Sequence, residues 1–91
     1  MIIFQTPLFG KQLKKLTQKN RLNVEEAVKN ILRDPLVGEQ KKGDLRDIRV
    51  YKFRLQDCLY LLAYTATEEK ICLVALGSHE NFYRDLKKTL S

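Results

Sequence analysis

Two nearly continuous apolar runs, Cys58-Leu59-Tyr60-Leu61-Leu62-Ala63-Tyr64 and Ile71-Cys72-Leu73-Val74-Ala75-Leu76, follow each other across a short polar turn at Ala66 to Glu69. Each run is strand-sized and neither alternates polar with apolar residues, which predicts strands in the middle of a sheet with both faces largely covered. A third candidate strand, about Arg46 to Leu55, precedes them across Gln56-Asp57, and turns this short predict an antiparallel meander. The chain has only 91 residues, and a chain of this size buries about 60–65% of the surface its unfolded form exposes. One compact core is the limit, so residues 1–91 are expected to form a single domain, and a two-lobed cofactor-binding fold is excluded.

The first half supplies the other layer. Ile2 to Gln5 reads as a short strand, and Thr6-Pro7 as a helix start, with a capping hydroxyl followed by proline where its missing N–H costs nothing. Phe9, Leu13 and Leu16 then form an apolar stripe opposite Lys11, Gln12, Lys14 and Lys15. Asn20-Arg21-Leu22-Asn23 is read as the break, with Asn23 and Glu26 resembling a capping box for a second helix whose inner face is Val24, Ala27, Val28, Ile31 and Leu32. Asp34-Pro35 ends it. After the meander, Gly77-Ser78 breaks the last strand, and Glu80 to Leu90 is expected to be helical with Phe82 and Leu86 inward. The expected fold is therefore α+β: an N-terminal strand, an α-helical hairpin, a three-stranded antiparallel meander and a short C-terminal helix. The hairpin would cover one face of a four-stranded sheet and leave all or part of the other for function.

Composition narrows the class. Hydrophobic residues make up 44% and charged residues 31% of the chain, which argues for a folded, soluble protein. No apolar run approaches the ~20 residues a membrane helix needs, so no membrane partner is expected. Met1-Ile2-Ile3-Phe4 leads straight into Gln5-Thr6 without a basic start, so a cytoplasmic protein is expected. With 17 Lys+Arg against 11 Asp+Glu the formal charge is +6. That favours nucleic acid, an anionic surface or an acidic protein as partner, or serves only to keep the surface soluble. Cys58 and Cys72 belong to no metal-ligand spacing and read as reduced core thiols, with a disulfide between them as the alternative; no metal and no cofactor are expected.

Three stretches could carry chemistry. In Arg46 to Leu55, strand alternation puts Lys52 and Arg54 on one face and Phe53 and Leu55 on the other. Two adjacent cations can hold a phosphate or stabilise charge developing on it, or simply form a solvated strand face. In Gly77-Ser78-His79-Glu80-Asn81-Phe82-Tyr83-Arg84, the single histidine falls just past a buried strand, and imidazole both accepts and donates protons near neutrality. Tyr83 would stand one helical turn on from His79. The third is the set of lysine clusters: those on the first helix read as solvating charges, whereas Lys41 and Lys42 lead into the strand bearing Lys52 and Arg54. Gly10, Gly38, Gly43 and Gly77 are isolated, so there is no glycine-rich phosphate loop. A lone histidine would have to complete a phosphodiester-cleaving set with Tyr, Lys, Arg or a carboxylate.

The order of elements, together with Tyr51-Lys52-Phe53-Arg54-Leu55, Tyr60-Leu61-Leu62-Ala63-Tyr64 and the closing Gly77-Ser78-His79 through Tyr83 to Lys87-Lys88, resembles the RelE/ParE superfamily of bacterial toxins from type II toxin–antitoxin pairs. The likeness covers essentially the whole chain. RelE-like members of that superfamily cleave messenger RNA in the ribosomal decoding site without metal. Lys52 and Arg54 match their pair of second-strand lysines; His79 stands where they have an arginine, and Tyr83 matches their terminal tyrosine. Leu61 stands where RelE has a third-strand arginine. His79 and Tyr83 fit the YafQ-like branch. The resemblance thus implies a ribosome-dependent mRNA endonuclease in which His79, Tyr83, Lys52 and Arg54 are catalytic and Arg49, Lys41, Lys42 and Arg84 contact RNA. It also implies an acidic, partly disordered antitoxin partner whose amphipathic helix covers the basic sheet face or packs beside the hairpin. ParE-like members instead inhibit DNA gyrase without cleaving RNA, which is the alternative for this chain.

Overall fold

The apolar runs pair as their spacing demands: β3 (Arg49–Leu55), β4 (Cys58–Ala66) and β5 (Lys70–Ser78) form the antiparallel meander at the centre of the sheet. The computed structural model describes residues 2–41, 43, 47–79 and 82. Ahead of the meander come β1 (Ile2–Gln5), α1 (Pro7–Lys14), α2 (Gln18–Arg33) and β2 (Glu39–Gln40). β1 runs parallel to β5, and β2 pairs antiparallel with β3, giving the strand order β1-β5-β4-β3-β2. The sheet thus has five strands rather than four. β2 consists of two exposed residues in what reads as a plain connection, and only their pairing with Val50 and Arg49 makes them a strand.

The helical hairpin forms, with its break displaced. α1 is eight residues long and starts at the expected cap, where the Thr6 hydroxyl accepts the Phe9 N–H. α2 begins at Gln18, capped by Thr17, whose hydroxyl accepts the Asn20 N–H. Asn23 therefore lies inside α2, and Glu26 pairs with Lys29 at 3.6 Å. A helix begun at either cap carries Val24, Ala27 and Ile31 on one inward, buried stripe; the Thr17 hydroxyl bond to Asn20 and the Arg21 N–H bond to the Thr17 carbonyl at 2.9 Å extend it toward the N-terminus.

Both sheet faces are covered. On the helix side, Phe9, Val24, Ala27 and Ile31 pack on Leu55, Leu62, Tyr64, Ile71, Leu73 and Leu76. On the other side, Ile48, Val50, Leu61, Ala63, Val74 and Ala75 pack with Phe82. Phe82 is helical and buried as expected; the rest of the expected terminal helix lies outside the described residues. Both cysteines are free thiols and no disulfide joins them; Cys72 is half-buried against the second cluster, whereas Cys58 is exposed and is not a core residue. Cys58 opens β4 just past the hairpin turn, where burial has not yet begun.

The outer edge of β5 is closed in two stages. β1 pairs with Lys70 to Leu73. Beyond it, the Thr6 hydroxyl donates to the Val74 carbonyl at 2.6 Å, and Gln12 Oε1 accepts the Leu76 N–H at 2.7 Å. Side chains of α1 and its cap thus continue the ladder that β1 starts, holding β5 in line as far as Leu76.

At the opposite side a buried knot holds the segment after α2. The Tyr64 side chain is fully buried; its hydroxyl donates to the Pro35 carbonyl at 2.8 Å and accepts the Gly38 N–H at 2.9 Å. A Cβ on Gly38 would lie 2.7 Å from the Tyr64 Oη, closer than van der Waals contact allows. Gly38→Ala should therefore cost about 1–3 kcal/mol of stability through overpacking, read as a lowered urea midpoint with an unchanged slope. Burial pushes the Tyr64 phenol above its ordinary 10.0, against smaller downward pulls from the Gly38 N–H and Arg49. A raised folded-state pKa gives stability that is fully present below pH 10 and is lost as pH rises toward the folded value. Denaturation between pH 9 and 11 should show this loss in the parent and lack it in Tyr64→Phe.

Candidate active site

Alternation along β3 divides its side chains between two faces. Arg49, Tyr51, Phe53 and Leu55 point toward the helices, whereas Val50, Lys52 and Arg54 share the other face. Val50 is buried there, and Lys52 and Arg54 are exposed. Pairing carries their rows across the sheet. Lys52 lies opposite Leu61, which lies opposite Gly77. Arg54 lies opposite Leu59, and the Leu59 carbonyl accepts the His79 N–H at 3.1 Å, extending the β4–β5 ladder by one residue. His79 thus ends the row that Arg54 begins. Two strand spacings put their backbones about 10 Å apart, and Lys52 and Arg54 are about 7 Å apart along β3.

The floor between these charges is apolar. A Cβ on Gly77 would meet the Phe82 ring at 3.7 Å, so Phe82 lies over Gly77 in the cluster that contains Leu61 and Val50. Phe82, three residues after His79 in sequence, is buried against this face. Exposed His79 lines a cavity of about 490 Å³ with Cys58, Leu59 and Ser78. Among the described residues Lys52, Arg54 and His79 have no ion-pair partner. The positive potential of Lys52 and Arg54 is therefore directed at solvent, or at an anion entering from it.

Other cations are otherwise engaged. The Arg49 guanidinium donates to the carbonyls of Gly38 at 2.8 Å and Leu36 at 3.2 Å, pinning the loop that Tyr64 holds from beneath. It sits on the helix side, away from Lys52, as the period of two in the sequence already requires. Lys41 is half-buried, with its Nζ 3.3 Å from a Glu39 carboxylate oxygen. Neither joins the group formed by Lys52, Arg54 and His79. Tyr83, Lys42 and Arg84 lie outside the described residues. Cys58 on the rim of the His79 cavity is the residue that sequence reasoning placed elsewhere; its position directly after a two-residue turn was the available signal.

This arrangement, a basic rim around an apolar floor on a five-stranded sheet backed by a helical hairpin, has relatives. The sequence matches, over residues 3–87, the family described as the ParE-like toxin of type II bacterial toxin-antitoxin systems. The chain belongs to that family. No curated protein matches it by sequence. Among solved structures, the toxin is similar to a double arginine-to-alanine mutant of E. coli RelE in the free state, with a TM-score of 0.71 at 19% identity, covering 98% of this chain and 92% of that one. The isolated E. coli RelE toxin gives 0.66 at 20% identity, covering 99% and 98%. A chain of the intact E. coli RelBE toxin-antitoxin complex gives 0.65 at 20%, covering 84% and 93%. The chain is thus a toxin of the RelE/ParE superfamily, with the α+β architecture that its element order implies.

Proposed function

We propose that the toxin is a ribosome-dependent endoribonuclease that cuts messenger RNA, with its site on the sheet face bearing Lys52, Arg54 and His79. This reading rests on the convergence of Lys52, Arg54 and the single histidine on adjacent rows of one face, beside an open cavity, with no ion pair on either cation among the described residues. Cleavage of an RNA phosphodiester by its neighbouring 2′-OH needs a base for that hydroxyl, positive charge around the phosphorane and an acid for the departing 5′-oxygen. The 2′-oxygen attacks phosphorus, the bond to the 5′-oxygen breaks, and the products carry a 2′,3′-cyclic phosphate and a 5′-hydroxyl. His79 transfers one of the two protons, and Lys52 and Arg54 stabilise the phosphorane. Tyr83 stacks on a base or positions the 2′-OH, and Lys42 and Arg84 add backbone contacts.

The ribosome enters this reading from the resemblance to RelE-like toxins; a catalytic set this sparse is compatible with a substrate already held in place by a larger machine. The partner in the cell is a cognate acidic antitoxin, in keeping with the family and with the net charge of +6. Primer extension on messenger RNA in a cell-free translation reaction tests the proposal. Cuts within translated codons, absent when translation is blocked, are expected. An intact message together with loss of DNA gyrase supercoiling would replace this reading with the gyrase-inhibitor one.

A further inference from the structure

The end of β5 separates two cavities, and only one belongs to the site described above. Ser78 lines both of them. On the helix side, Gln12, Lys15, Leu16, Tyr60, Leu76, Gly77 and Ser78 enclose about 290 Å³, at the lower end of small-ligand pockets. Tyr60 lies opposite Ser78 in the ladder, one residue along from the Leu59–His79 hydrogen bond. Alternation puts the Tyr60 ring on the face opposite His79, so the two flank the same strand end.

The lining has the chemistry of a nucleotide site. Tyr60 supplies an aromatic ring backed by Phe53, with ring centres 6.3 Å apart and planes tilted by 52°, and Tyr51 stacks behind Phe53 at 6.1 Å. Among the described residues the Tyr60 hydroxyl makes no hydrogen bond and exposed Lys15 has no ion pair. The Gln12 carbonyl is fixed by the Leu76 N–H, which orients its amide and leaves the NH₂ donors for a ligand. A backed aromatic ring, an adjacent cation and an oriented amide are what single-stranded nucleic-acid sites use to stack a base, hold its phosphate and read its edge.

We infer that Tyr60, Lys15 and Gln12 form a second nucleotide subsite, which holds the nucleotide next to the cleaved phosphodiester as single-stranded RNA crosses the end of β5. This rests on the nuclease reading and adds to it a determinant of which nucleotide neighbours the cut. Tyr60 acts in it as a positioning residue.

The test compares the parent, Tyr60→Leu, Tyr60→Phe and Lys15→Gln by primer extension on translated messages varied at the nucleotides flanking the cut. Tyr60→Leu should lower kcat/KM about tenfold and flatten the preference at one flanking nucleotide, whereas Tyr60→Phe should keep both. Lys15→Gln should weaken cleavage a few-fold and reduce its salt dependence. In parallel, His79→Ala bound to ribosomes carrying 4-thiouridine-substituted message should cross-link through the peptide containing Tyr60. Parent cutting, with Tyr60→Leu matching it in rate and preference, overturns the subsite and leaves the nuclease reading standing. A parent that cuts nothing overturns both. Should Tyr60→Leu fail to fold, the cross-link decides: attachment elsewhere only contradicts the subsite.

Discussion

His79→Ala should slow cleavage of translated messenger RNA by about a hundredfold or more, the usual loss when a group that transfers a proton in the transition state is removed. The structure makes this a clean substitution. His79 is exposed, follows the last residue of β5, and is tied to the fold through its backbone N–H to the Leu59 carbonyl, which alanine retains. Stability should therefore stay close to the parent's, within the roughly ±0.5 kcal/mol typical of surface substitutions. Single-turnover rates on pre-formed ribosome complexes, paired with thermal melts, separate the two effects. Equal rates for the parent and His79→Ala would remove His79 from the chemistry.

The second large effect is expected for Lys52→Gln combined with Arg54→Gln. Removing preorganised positive groups from a developing oxyanion commonly costs on the order of 10²–10³ in kcat per group, so the double variant should lose at least about a hundredfold. Both side chains are exposed and make no hydrogen bond or ion pair among the described residues, so the fold has little to lose. If the pair only attracted RNA, low salt would restore activity, because the missing contribution would be counterion release. If it stabilises the phosphorane, the deficit in kcat should persist at low salt and at saturating ribosome complex. Arg49→Gln is a useful contrast. Its guanidinium holds the carbonyls of Leu36 and Gly38, so it should lower the melting temperature and leave kcat nearly unchanged.

How much of this was legible in the sequence depends on the kind of signal each feature leaves. The meander was, because Cys58–Tyr64 and Ile71–Leu76 are apolar runs of strand length with short turns between them. The helical hairpin was legible as well, but its break was not, since Thr17 and Asn23 are both competent caps and the buried stripe of Val24, Ala27 and Ile31 fits a helix begun at either. β2 was invisible, as Glu39 and Gln40 carry no pattern and become a strand only by pairing with Val50 and Arg49. Cys58 looked buried because it opens an apolar run, yet a strand's first residue after a turn sits at the rim.

For the site, alternation alone joined Lys52 to Arg54. What brought His79 to them was register, the pairing of Arg54 with Leu59 and of Leu59 with His79, which no local pattern encodes. The same limit hid the cavity under Tyr60, whose walls come from α1, β4 and β5.

The proposed nuclease would break RNA through attack by the RNA's own 2′-OH. Mass spectrometry of the ends produced when the purified toxin acts on a translated message tests it directly. The expected ends are a 2′,3′-cyclic phosphate, or the monophosphate formed when it hydrolyses, on the upstream fragment and a 5′-hydroxyl on the downstream one. A 3′-hydroxyl facing a 5′-phosphate would contradict this mechanism.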